Sequence, residues 1–287
     1  MIQKTNQLSI KTQCELLSVS RRSYYYKSKG ESEINRKIIK LIQEQYQKDP
    51  TCGSRRITAY LRKKGYRINR KRIQRLMRKM GIKAIYSKPK ISIPLSKNTI
   101  DTHNLIKDIS IRYPNQVWYT DITYIKLPKG YCYSVAVMDA YSKKILSIKH
   151  SNTLDRHFCV EAAKEAIRRY GYPEIIHSDR GAQFLSKEFI QVFSPFTRNS
   201  YTSAGFRDNI YIERFFRTYK HECLALYEFR NIKEVREITK AWISYYNTER
   251  LHQALGYNSP DAIYYGLQYP TVNGNFGVQY LGSTSFD

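Results

Sequence analysis

The chain has 287 residues, of which 41% are hydrophobic and 14% aromatic, and it carries a formal charge of +25 at neutral pH. That length and apolar content exclude a disordered chain and leave room for one to three domains. No run of about 18 apolar residues exists to span a bilayer, and the N-terminus lacks the apolar core of a signal peptide.

Charge is unevenly spread. Residues 1–113 hold 28 Lys and Arg against 7 Asp and Glu, whereas residues 114–287 hold 21 against 17. The front of the chain therefore carries the positive field, and a phosphate backbone is its expected partner. An anionic membrane is the competing partner; turn-separated helices without a long amphipathic anchor argue against it. Cys14, Cys52, Cys132, Cys159 and Cys223 are scattered, with neither zinc-ligand spacing nor a disulfide framework, so free thiols in a reducing cytoplasm are expected.

In chain order, residues 8–28 predict a short helix ending near Leu17, a turn, and a second helix capped by Ser20 and opened by Arg21 and Arg22. That is the order of a helix-turn-helix, although a plain helical hairpin has the same pattern. Residues 31–82 repeat the theme. A helix runs from Ile34 to Tyr46, a short one from Arg55 and Arg56 to Leu61, and a third, capped by Asn69, from Arg70 to Met80. Ile73, Leu76, Met77 and Met80 form the inward stripe of the third helix. Arg70, Lys71, Arg72, Arg75, Arg78 and Lys79 are left for its outer faces, which predicts DNA contact rather than a merely solvated face. Residues 83–114, in which Lys88–Lys97 carries two prolines, serines and lysines with little periodicity, read as an extended basic linker.

From Gln116 the pattern changes to β. Val117–Ile125, Tyr131–Asp139 and Ile145–His150 predict an antiparallel meander. A helix at Leu154–Tyr170 then leads to a short buried strand, Glu174–Asp179. Together these predict a mixed α/β sheet. Ile210–Lys220 predicts a helix with Ile212, Phe215, Phe216, Tyr219 and Cys223 inward and Asp208 or Asn209 as cap.

Three acids stand out. Asp121 interrupts a β-branched run in the middle of the first strand, where aspartate is a poor strand former. Asp179 follows the fourth strand at its carboxyl end, where open α/β sheets bind ligands. Glu213 sits on the last helix, with Arg217 one turn and Lys220 two turns beyond; a surface ion pair is the plainer reading of that helix by itself. Three converging carboxylates would repel and raise one another's pKa, a conflict that a hard divalent cation removes. Two such ions about 3.5–4 Å apart suit in-line attack on phosphorus.

Trp118–Ile125, Ile176–Phe184 and Asp208–Phe216 together resemble the three catalytic blocks of integrase-type insertion-sequence transposases, relatives of retroviral integrases. Residues 31–80 resemble that family's front domain, and Trp242–Gly256 with Ser259-Pro260 its tail block. The resemblance covers roughly residues 8–265. It implies an RNase H-like five-stranded mixed sheet flanked by helices and preceded by small all-α helix-turn-helix domains. The expected division is 1–30, 31–82, linker 83–114, catalytic core 115–225 and helical extension 226–287.

It further implies Asp121, Asp179 and Glu213 as catalytic residues and metal ligands for two Mg²⁺ or Mn²⁺ ions. Arg21, Arg22, Arg55, Arg56, Arg70, Lys71, Arg72, Arg75, Arg217 and Lys220 are the expected DNA contacts. The implied activity is DNA transposition: binding of terminal inverted repeats, strand cleavage and strand transfer by a 3′-hydroxyl. Double-stranded DNA and further copies of the chain would be its partners, at the bacterial nucleoid in the cytoplasm. The alternatives are an inactive DNA-binding regulator and a structure-selective nuclease.

The sequence departs from the family in the stretch before the fifth strand, where Ser194–Asn199 lacks the usual glycine-bearing turn. It also lacks the zinc module of the retroviral enzymes. Among lesser candidates, His177 is read as a packed strand residue rather than a phosphate contact, and Asp208 as a cap rather than a fourth ligand. Asp139 is read as structural. Arg250 and His252 are left between DNA contact and bracing of the tail.

Overall fold

The computed structural model describes residues 2, 8–27, 30–86, 104–107, 109–202 and 209–267. The chain divides into two compact units, residues 1–44 and 45–287. In the first, α1 (Ile10–Leu16) and α2 (Arg21–Tyr25) each start at a serine. Ser9 accepts from the Thr12 amide and Ser20 from the Arg22 amide, satisfying donors that a helix start leaves open. Most of α3 (Glu33–Lys48) completes this unit, with Ile38 and Ile42 buried.

The second unit opens with α4 (Ser54–Lys63) and α5 (Arg70–Lys79), packed through Ile57, Leu61, Ile73 and Leu76, all fully buried. Asn69 caps α5 by accepting from the Lys71 amide, and Gly81 turns the chain out with φ of 69°, a conformation glycine adopts without steric cost. These helices belong to the same compact unit as the sheet.

The sheet comprises β1 (Val117–Lys126), β2 (Tyr131–Asp139), β3 (Ile145–Ser151), β4 (Ile175–Ser178) and β5 (Arg198–Tyr201), ordered β3-β2-β1-β4-β5. The first three strands are antiparallel neighbours, whereas β4 joins β1 and β5 joins β4 in parallel. Strand alternation splits the core in two. Trp118, Val135 and Ile176 pack with α6 (His157–Tyr170) and α7 (Lys187–Phe193). Tyr119, Met138 and Ile175 lie in a second cluster with Phe215, Phe216 and Tyr219 of α8 (Ile210–Glu222) and with Val235 and Tyr246 of α9 (Ile232–Thr248). A last helix, α10 (Pro260–Tyr264), starts at Ser259, whose side chain accepts from the Ala262 amide.

Most of the expected linker lies outside the described residues. Its far end is not free, because Leu105, Ile106, Ile109 and Ile111 pack on the α8 side of the core. Between α7 and β5 the chain turns through a cis Ser194–Pro195 bond, and the Thr197 hydroxyl donates to the Pro173 carbonyl (2.8 Å). Among the described residues no helix is long and apolar enough to cross a membrane.

Candidate active site and nucleic-acid interface

The β1–β4 register decides where the first two acids meet. Val117 faces Ile175, Trp118 faces Ile176 and Tyr119 faces His177, a constant offset of 58. Two residues on, that same offset joins Asp121 to Asp179. Asp179 directly follows the last residue of β4, so a ladder continued with ideal geometry would bring the two acids to one inter-strand spacing, about 4.8 Å. Beneath them lies an aromatic layer. The Tyr119 ring meets His177 edge-on at 5.3 Å and Tyr211, on the first turn of α8, at 5.5 Å. Tyr211 thus seats the start of α8 over β1, and Glu213 follows two residues later.

Asp121 feels the other two acids. Burial pushes its carboxyl up to about 7, the Asp179 and Glu213 charges push it further in the same direction, and the Ile122 amide and Lys220 pull it back. Burial also raises Glu213, and it lowers the Lys220 amine against the pull of Asp121. Asp121 Oδ1 accepts from the Ile122 amide at 2.7 Å, and Asp179 Oδ1 from the Gly181 amide at 3.0 Å. Among the described residues no three acidic, histidine or cysteine side chains are drawn together tightly enough to grip an ion.

The donor set is oxygen only and excess-negative, which fits a hard divalent cation and not a soft metal. Gly181 tightens this corner. A Cβ there would stand 3.0 Å from Asp179 Oδ1 and 3.2 Å from Gln183 Oε1, so any side chain would push on the carboxylate.

The helix start carrying Glu213 differs from expectation. Asn209 occupies the cap position but its side chain makes no capping bond; it is buried, and its side-chain oxygen has no hydrogen-bond partner among the described residues. Asp208 lies outside the described residues. The inward stripe of α8 is as expected: Ile212, Phe215, Phe216, Tyr219 and Cys223 are all buried.

The expected DNA contacts separate into two kinds. Arg21 and Arg22 on α2, Arg55 on α4, Arg70, Lys71 and Arg75 on α5, and Arg217 and Lys220 on α8 are exposed, while Arg72 is half-buried. The first turn of α5 holds Arg70, Lys71 and Arg72 and no acid. Cations at that end oppose the helix dipole but reinforce its pull on a phosphate.

Arg56 is a correction. Its guanidinium is 16% exposed and pairs with Asp49 at 3.0 Å and Glu222 at 3.3 Å, so it is spent inside the protein and withdrawn from the contact set. Arg250 and His252 resolve the same way. Arg250 forks onto Glu222 at 2.6 and 2.7 Å, and His252 packs edge-on against Tyr246; they brace the tail.

His177 is fully buried, with Nδ1 2.9 Å from Ser200 Oγ. Asp139 is fully buried and structural, accepting from the Ser142 amide and hydroxyl and from the Asn115 amide.

Known proteins resemble this chain along most of its length. Two family models described as integrase core domain match residues 112–198 and 200–260, and one described as an HTH-like domain matches residues 33–90. The transposase for insertion sequence element IS904 of Lactococcus lactis is 31% identical over 242 residues, covering 82% of this chain and 94% of that protein. The putative transposase InsK for insertion sequence element IS150 of Escherichia coli is 27% identical over 241 residues, 81% of this chain and 85% of that protein. Among solved structures, the HTLV-2 integrase catalytic core domain in complex with magnesium aligns with 53% of this chain and 97% of its own, at 22% identity and a TM-score of 0.44.

Proposed function

Because the chain belongs to the integrase-type insertion-sequence transposases, we propose that it binds its element's terminal inverted repeats and cuts and joins DNA at Asp121, Asp179 and Glu213. The exposed cations of α2 and α5 grip the phosphate backbone, and at the first turn of α5 the positive end of the helix dipole adds to its arginines. Arg217 and Lys220 extend that field along α8 to the carboxylates.

Two divalent cations, Mg²⁺ or Mn²⁺, held by the three acids would ease deprotonation of the attacking hydroxyl and balance charge on the leaving oxygen. In cleavage, water attacks the phosphorus and the bond to the 3′ oxygen breaks, releasing a 3′-hydroxyl. In transfer, that hydroxyl attacks a second phosphodiester and displaces its 3′ oxygen, so the number of phosphodiester bonds is conserved. The enzyme works at the nucleoid as a homo-oligomer that pairs two element ends.

The observation that carries this reading is the shared 58-residue offset. The parallel register pairs Tyr119 with His177, and the same offset separates Asp121 from Asp179, which supports the two acids acting together. Asp121→Asn, Asp179→Asn and Glu213→Gln are each expected to lower cutting and joining of end-containing DNA by about a thousandfold while leaving binding in a gel-shift assay intact. Full strand transfer by any one of them overturns the triad. Cutting without joining by the wild type would instead identify a nuclease, and binding without cutting a regulator.

A further inference from the structure

A buried ion cluster joins segments far apart in sequence. Arg56 of α4 donates to Asp49 Oδ2 at 3.0 Å and to the Thr51 carbonyl at 2.7 Å, and it lies 3.3 Å from each carboxylate oxygen of Glu222. Arg250 forks onto the same Glu222. The Tyr245 hydroxyl of α9 donates to Asp49 Oδ2 at 2.7 Å. The side chains of Arg56, Glu222 and Arg250 are 16, 15 and 11% exposed. At the rim, Lys63 of α4 reaches Asn258 Oδ1 at 3.0 Å, and Lys48 pairs with Glu249.

The cluster sits at the end of α8 away from the carboxylate centre. Glu222 is the last residue of α8, nine after Glu213, about 14 Å further along the axis. Buried ion pairs contribute little net stability, since desolvation offsets attraction, and an apolar cluster would hold these surfaces as firmly. What the Arg250 fork and the Arg56 hydrogen bond on one carboxylate add is geometry. An apolar contact tolerates sliding, whereas paired N–H to oxygen bonds hold one registry. Glu222 takes guanidinium groups from α4 and from the segment after α9, and so ties both to α8.

We infer that Glu222 is a positioning residue that locks α4 and α5 to α8, so that the cut falls at one fixed distance from the sequence that α5 grips. This rests on the reading of α5 as a DNA grip and Glu213 as catalytic. Loosening the lock leaves both parts competent and lets their separation vary.

The test uses the full chain and a labelled duplex taken from the DNA flanking its own coding sequence, with Mg²⁺. The wild type is expected to cut at one phosphodiester. Glu222→Gln, and Arg56→Lys, which keeps the charge but loses the fork, are expected to bind that duplex with unchanged affinity and to spread their cuts over neighbouring phosphodiesters. Cuts at the single wild-type position with merely lower yield overturn the proposal.

Hydrogen exchange on the free protein provides an arm independent of cutting. In both variants the amides of α4 and α5 should exchange about tenfold faster or more, the consequence of losing a charged hydrogen bond, while β1 and β4 keep their protection. Unchanged exchange of α4 and α5 also overturns it. If the wild type makes no cut, the catalytic reading fails on its own, and exchange still decides whether the lock exists.

Discussion

Helices α5 and α8 are both basic and amphipathic, and each buries a stripe at three- and four-residue steps, yet their first turns are opposites. The start of α5 carries Arg70, Lys71 and Arg72 and no acid; the start of α8 carries Glu213. The positive end of a helix dipole favours an acid and opposes a cation. Glu213 is therefore placed where its charge is best tolerated, even though burial raises its pKa. The α5 start is placed where it costs stability, a cost that the proposed phosphate contact would offset. One helix is arranged to hold carboxylate, the other to receive phosphate, and a protein that brings phosphodiesters to an acidic site needs both.

The strongest way to break this contrast is to remove the α5 cations. Replacing Arg70, Lys71 and Arg75 together by alanine is expected to lower the salt slope of DNA binding by about 0.9 for each phosphate left without its cation, up to about 2.7. Affinity measured from 50 to 200 mM salt checks this, and an unchanged slope would remove α5 from the interface.

Acid provides a second, smaller separation, because the sheet beneath α8 holds a buried histidine. Burial, with Arg236 and Lys149 nearby, depresses His150 to about 4, and its Nδ1 lies 2.6 Å from Ser134 Oγ. The folded state binds this proton less readily than the unfolded chain. Stability is therefore full above about pH 6.5 and falls as pH drops through about 4, by on the order of 2 kcal/mol. Denaturation midpoints across that window should flatten in His150→Gln.

The smallest effect sharpens the contrast most cleanly. Lys71→Glu gives α5 the acidic first turn of α8, and should raise stability by about 0.3–1 kcal/mol while weakening DNA binding. A fall in stability with DNA binding unchanged would show that the first turn is tuned for stability alone.

Much of the sheet could be read in advance because its signals are local. The β-branched runs, the Gly130 turn and the buried strand after Gly171-Tyr-Pro173 mark strands without help from tertiary contacts. The equal spacings of Asp121 from Tyr119 and of Asp179 from His177 were also present in the sequence, but only the register gives those spacings meaning. Arg56 was out of reach. It is one of 28 cations in the first 113 residues, and what sets it apart is a carboxylate 166 residues away. Pattern places residues on the face of an element; it does not say which other element covers that face. The same holds for Asn209, whose type suits a helix cap but whose side-chain oxygen is buried without a partner among the described residues.

The central claim is that Asp121, Asp179 and Glu213 jointly hold divalent metal. It is tested most directly by the melting temperature of the DNA-free protein titrated with Mg²⁺ or Mn²⁺, since a ligand that binds only the folded state raises it by mass action. The wild type should melt progressively higher as metal is added, and Asp121→Asn, Asp179→Asn and Glu213→Gln should each lose that rise. A metal-induced rise that persists at wild-type size in all three variants would contradict the account.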